Sequence, residues 1–140
     1  MNDLINWLLG EKEEERKRVF ISFSIEDKQY RDFLVAQSKN NKSPFDFIDM
    51  SVKEPWNESE WKKRCKTKIK RCHGVIVLLS NNTYHSSGVH YEIKCAKDEG
   101  IPLIGMHIKK NEKWAIPAEL RNEKVINWSW DNIEKFINKL

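Results

Sequence analysis

The segment Gly74-Val-Ile-Val-Leu-Leu79 is apolar almost throughout. A strand with one wet face alternates apolar and polar residues. A strand without that alternation is covered on both faces, as in a parallel sheet flanked by helices. The surrounding sequence supplies the rest of such a sheet. Residues 18–23 (RVFISF), 45–50 (FDFIDM), 101–108 (IPLIGMHI) and 124–128 (KVINW) are short β-rich runs. The Pro of the fourth run stands near its start, where a ladder tolerates it.

Between these runs the apolar spacing lengthens to helical intervals. Tyr30, Phe33, Leu34 and Gln37 mark one helix, and Trp61, Cys65, Ile69 and Cys72 a second. Val89, Ile93 and Ala96 mark a third, and Ile133, Phe136, Ile137 and Leu140 a fourth. Capping residues punctuate them. Ser24 with Asp27 reads as a capping box, Asn57 to Glu60 as a second start, Ser86 or Ser87 as a third and Asp131 as a fourth, while Gly100 closes the third helix. Strand and helix thus alternate about five times. Right-handed crossovers then require an α/β fold: a flavodoxin-like, doubly wound sheet of about five parallel strands, helices on both faces and the third strand central.

The chain has 140 residues, the size of one domain. Residues 1–16 read as an N-terminal helical extension, with Leu4, Trp7 and Leu8 on one side and a charge run from Glu11 to Arg18 behind them. The domain proper is residues 17–140. No apolar run approaches the ~20 residues of a bilayer span, and the N-terminus lacks the basic region and cleavage site of a signal peptide. Cys65, Cys72 and Cys95 are an odd number without a CxxC spacing, which fits reduced thiols in a cytoplasmic protein. His73, His85, His90 and His107 show no ligand spacing, so no metal site is expected. The net charge of +4 owes much to Lys62, Lys63, Arg64, Lys66, Lys68, Lys70 and Arg71 on one helix. Such a face is either solvated or a stripe for a polyanion; nucleic acid is not the expected partner.

In an open doubly wound sheet a ligand sits outside the carboxyl ends of the strands. Strand one ends at Phe23, Ser24 and Asp27. Strand two ends at Asp49 and Ser51 and leads to Trp56. Strand three ends at Ser80, Asn81 and Asn82, followed by Tyr84 and the helix bearing Glu92. Glu92 lies beside the apolar stripe of its helix rather than opposite it. Its position near the helix start is also what the macrodipole alone would favour. The set makes a nucleotide-sized cleft. GxxxxGK[ST] and GxGxxG are both absent, which excludes a P-loop and a dehydrogenase-type dinucleotide site. A phospho-acceptor receiver would need an Asp where strand three ends Leu79-Ser80-Asn81.

The segment "KRVFISFSIEDKQYRDFL" resembles the first strand and helix of TIR domains, and "HGVIVLLSNNTYHSSGVHYEIKCAKDEGIPLIGMHI" their third strand, following helix and fourth strand. "VHYEI" is similar to the segment bearing the catalytic glutamate of NAD-cleaving members. The nearest likeness is to the small TIR-like proteins of bacterial Thoeris anti-phage defence, over residues 17–140. The resemblance implies that NAD is a substrate rather than a cofactor and that Glu92 is catalytic. Phe23 and Trp56 would wall the nicotinamide or ribose; Ser24, Ser80 and Asn81 would bind ribose or phosphate; Asp49 and Tyr84 complete the substrate-binding set. It implies an ADP-ribose-derived signal, cyclic or conjugated, that activates a separate effector, and TIR–TIR or other homo-oligomeric assembly. Two other readings stay open: a non-catalytic assembly module, and a nucleotide-binding sensor. The family commonly has Trp four residues before the glutamate, where this chain has Gly88. Trp56 or Tyr84 is expected to fill that gap; otherwise the site is weakened.

Overall fold

The computed structural model describes residues 16–40, 45–50 and 57–140. The expected extension at the N-terminus and the candidate Trp56 lie outside the described residues.

Among the described residues, five parallel strands form one sheet: β1 (Lys17–Ser22), β2 (Phe45–Ile48), β3 (Gly74–Leu79), β4 (Leu103–His107) and β5 (Val125–Asn127). Their order is β2-β1-β3-β4-β5. The all-apolar strand is central and buried at every position. Helices α1 (Lys28–Asn40), α2 (Glu58–Lys70), α3 (Ser87–Asp98) and α4 (Trp130–Ile137) cover the sheet. On one face α2 and α3 bury Cys65, Ile69, Val89 and Ile93 against Phe20, Val77 and Leu79. On the other, α1 and α4 bury Leu34, Ile133 and Ile137 against Ile21, Ile76, Leu78 and Met106. Successive side chains of β1 and β3 alternate between these two cores, as the twofold strand repeat dictates. No helix among the described residues is long and apolar enough to cross a membrane.

Three of the expected helix boundaries are made by the expected residues. Asn57 accepts from the Glu60 amide at 2.8 Å, and Ser86 accepts from the Val89 amide at 3.3 Å. Gly100, at φ +67°, takes the left-handed conformation that ends α3. Two boundaries differ. The Ser129 hydroxyl, 3.0 Å from the Asn132 amide, caps α4, so Asp131 falls in its first turn instead. No capping box forms at Ser24. A 3-10 turn (Ile25–Asp27) precedes α1, and the Ser24 side chain makes no cap bond. Phe33, expected on the apolar stripe of α1, is 60% exposed, and Leu34 alone is buried.

The chain winds from β1 outward to β2, then returns to β3 and winds the other way. The carboxyl ends of β1 and β3 therefore flank the switch point, where an open sheet of this kind forms its crevice.

Candidate active site

Ser22 is the last residue of β1 and faces α2 and α3, fully buried. Glu92 comes from the second turn of α3 and reaches back to the same point. The Ser22 hydroxyl donates to Glu92 Oε1 at 2.8 Å, and the Cys65 thiol lies 3.9 Å from Oε2. Glu92 is only 4% exposed. No cation pairs with it among the described residues. Burial pushes its pKa up to about 8; the Ser22 bond works against this, the nearby negative charge of Asp49 adds to it, and the Cys65 contact opposes it weakly. Near neutral pH burial therefore favours the carboxylic acid over the carboxylate. A dipole-favoured glutamate would be solvated and ionised. The burial of Glu92 separates it from that plain alternative.

Glu92 lines a cleft of about 710 Å³ at the switch point, within the range of small-molecule sites. Of the residues expected there, Phe23, Ser24, Asn81, Asn82 and Glu92 line it together. The Arg31 guanidinium covers the Phe23 ring at 5.9 Å and pairs with Asp49 at 3.1 Å. The Ser24 hydroxyl donates to the Glu26 carboxylate. That bond holds Glu26 below the usual carboxylate range, so the cleft's rim stays negative.

Asp27, Asp49, Ser80 and Tyr84, all expected there, are not among those lining the cleft. Ser80 is buried beneath it. Its hydroxyl donates to Asp27 Oδ2 at 2.5 Å and accepts from the Asn82 amide at 2.9 Å. Asn82 Nδ2 donates to the other Asp27 oxygen at 3.1 Å. Asp27, Ser80 and Asn82 thus lock the loop after β1 to the loop after β3, so Ser80 shapes the cleft from below. Asp49 pairs with Arg31, and its charge raises the Glu92 pKa. Tyr84 is 46% exposed and turns its ring to His85 and His90. Its carbonyl accepts from His90 Nε2 at 2.6 Å, while His90 Nδ1 meets Glu119 at 2.7 Å.

Sequence reasoning missed Ile25, Glu26, Met50, Trp61, His85, Ser86 and Ser87 as cleft residues, and had Gly88 only as the gap left by the family tryptophan. The absent family tryptophan explains one of them. A Cβ at Gly88 would sit 3.5 Å from the Trp61 ring. Trp61, from the first turn of α2, therefore occupies the space over Gly88 that was expected to receive Trp56 or Tyr84. The tryptophan at the head of a buried stripe, beside a capped helix start, was the available signal.

The three cysteines are unpaired and buried, and burial raises the Cys65, Cys72 and Cys95 thiols above their ordinary values. They are packing residues rather than nucleophiles. No cluster among the described residues has the makings of a metal site.

The fold recurs in solved structures. The TIR domain of the Toll-related receptor TRR-2 from Hydra magnipapillata superposes with a TM-score of 0.62 at 14% identity, covering 86% of this chain and 92% of that one. A 2-desoxiribosyltransferase from Leishmania mexicana gives 0.63 at 12% identity over 87% and 97%. The CMP N-glycosidase BcmB from Clostridium botulinum gives 0.55 at 20% identity over 89% and 100%. At these identities the likeness is one of fold. No curated protein matches the chain in sequence. The sequence profile of the TIR-like domain of the Thoeris protein ThsB matches residues 20–113, more than half of the chain. The chain therefore belongs to the ThsB TIR-like family of Thoeris anti-phage defence.

Proposed function

We propose that this TIR-like protein cleaves the nicotinamide–ribose bond of NAD and that Glu92 is its catalytic residue. The observation that carries the reading is a buried carboxyl, held by neutral donors, opening onto the switch-point cleft. The substrate's nicotinamide ring is a cation. Among the described lining residues the acids are Glu26, which is ionised, and Glu92, which burial keeps largely protonated until a cation approaches, with neither Lys nor Arg present. Such a cleft favours a positively charged ring. The approaching cation lowers the Glu92 pKa and draws off its proton, so the carboxylate forms where it is needed.

The C–N bond then breaks, and its electron pair leaves with the ring nitrogen as neutral nicotinamide. This departure needs no general acid, unlike ordinary glycoside hydrolysis with its two carboxylates. Glu92 stabilises the ribosyl oxocarbenium and holds ribose hydroxyls, and low local polarity strengthens its field. Ser22 fixes the carboxylate's orientation. Phe23 and Trp61 wall the flat ring, and Ser24 and Asn81 offer hydrogen bonds to the ribose. Two structures of the same fold bear the names of a 2-desoxiribosyltransferase and a CMP N-glycosidase. That likeness supports the reading without carrying it.

The oxocarbenium is captured by water, giving ADP-ribose, by a group of the same molecule, giving a cyclic isomer, or by an outside nucleophile, giving a conjugate. Membership of a defence family favours the last two, as a diffusible signal for a separate effector. Mass spectrometry of the product formed from NAD is expected to show a cyclic or conjugated ADP-ribose that switches on the effector. Linear ADP-ribose alone, inert toward the effector, overturns the signalling part of this reading.

A further inference from the structure

We infer that a groove outside the cleft, lined by Trp61, Tyr91 and Lys62, seats the adenosine half of the dinucleotide. This inference rests on the proposed NAD cleavage and adds a subsite to it. The groove holds about 450 Å³ and is lined by Glu58, Trp61, Lys62, Ser87, Gly88 and Tyr91. It shares Trp61, Ser87 and Gly88 with the inner cleft. The two concavities therefore adjoin, with the Trp61 ring between them and bare Gly88 as the saddle beneath its edge.

The charges divide between the two compartments as a dinucleotide requires. The inner cleft carries the ionised Glu26 and no Lys or Arg among its described lining residues, and is a poor host for a diphosphate. The outer groove carries the Lys62 ammonium, 5.4 Å above the Tyr91 ring and 3.0 Å from the exposed Glu58 carboxylate. A diphosphate crossing at Ser87 and Gly88 meets that ammonium and competes with Glu58 for it. Beyond lie two aromatic rings, Trp61 and Tyr91, with centroids 5.8 Å apart and planes inclined at 51°. Both rings are half-buried and line the groove, so aromatic surface there is open to a second flat base. Lys62 also opens the basic face of α2, so the excess of cations on that helix gains a local use beside the site.

The site is then asymmetric. A cationic ring binds by the inner carboxylates, and a neutral purine and its diphosphate bind outside. The preference is for a dinucleotide over nicotinamide mononucleotide, and it resides in residues remote from the reacting bond.

The test compares wild type with Tyr91→Ala and Lys62→Glu, using NAD, nicotinamide mononucleotide and ADP-ribose. The ratio of kcat/KM for NAD over the mononucleotide is expected to fall roughly tenfold in each variant, the loss typical of one stacking ring or one phosphate contact. ADP-ribose affinity by calorimetry is expected to fall by a similar factor. Lys62 is solvent-facing, so its variant keeps the test valid even if Tyr91→Ala loosens α3. A ratio and an ADP-ribose affinity within twofold of wild type in both variants overturn the inference. So does a wild type that does not bind ADP-ribose. If NAD is cleaved with an unchanged ratio, the inference falls and the proposed reaction stands. If ADP-ribose binding depends on Lys62 and Tyr91 but NAD is never cleaved, the groove stands and the reaction falls.

Discussion

A carboxyl whose pKa lies at about 8 is mostly protonated across the neutral range, and its substrate must find or create the ionised form. The sign of the pH dependence follows. kcat/KM reports the free enzyme, so it should rise about tenfold per pH unit below about 8 and level off above. kcat reports the complex, in which the cationic ring favours the carboxylate, so its rise should come at lower pH. Steady-state rates between about pH 6 and about pH 9 check this. A kcat/KM flat over that interval would mean that Glu92 titrates like a solvated glutamate. The residue's place beside the stripe of α3 was legible in the sequence. Its burial was not, because it depends on Ser22 and Cys65, which lie 70 and 27 positions away along the chain.

Elements were read best where local chemistry settles them. The all-apolar β3, the Asn57 cap and the Gly100 stop each follow from a few neighbouring residues. One failure was local, Ser129 capping α4 two residues before the expected Asp131; the others were non-local. Asp27 left its helix start because Ser80 and Asn82 compete for it from across the sheet. Trp61 reached the cleft because α2 lies against the start of α3, a fact of packing rather than of spacing. That packing makes Gly88 a sensitive position. A methyl group there meets the Trp61 ring at ordinary contact distance, so Gly88→Ala should bind NAD nearly as wild type and stabilise α3 by about 0.5–1 kcal/mol. Gly88→Ile should push the ring into the cleft and raise KM for NAD about tenfold, in line with the usual cost of overpacking. Kinetics of the two variants check this, and equal KM values would remove Trp61 from the binding wall.

At the scale of the molecule, the fold leaves apolar groups outside. Phe33 is 60% exposed and stands edge-on to Tyr30, with Ile108 and Trp128 in the same concavity. A surface of this kind suits contact with another copy. Specific activity should therefore rise with protein concentration, and Phe33→Asp should flatten the rise. Activity independent of concentration in wild type would mark a self-sufficient monomer. Whatever the assembly, the account stands on Glu92. Burying that acid costs stability as pH rises from its ordinary value of 4.5 toward about 8, because the native state holds a proton that the unfolded chain has released. Glu92→Gln removes the cost and should melt no lower than wild type at pH 8. The decisive measurement is nicotinamide release from NAD by wild type and by this folded variant. Turnover by wild type is expected, with a loss of at least ~100-fold in the variant, the scale of a removed electrostatic stabiliser. Release by Glu92→Gln at the wild-type rate, or no release by wild type at any concentration, would contradict it.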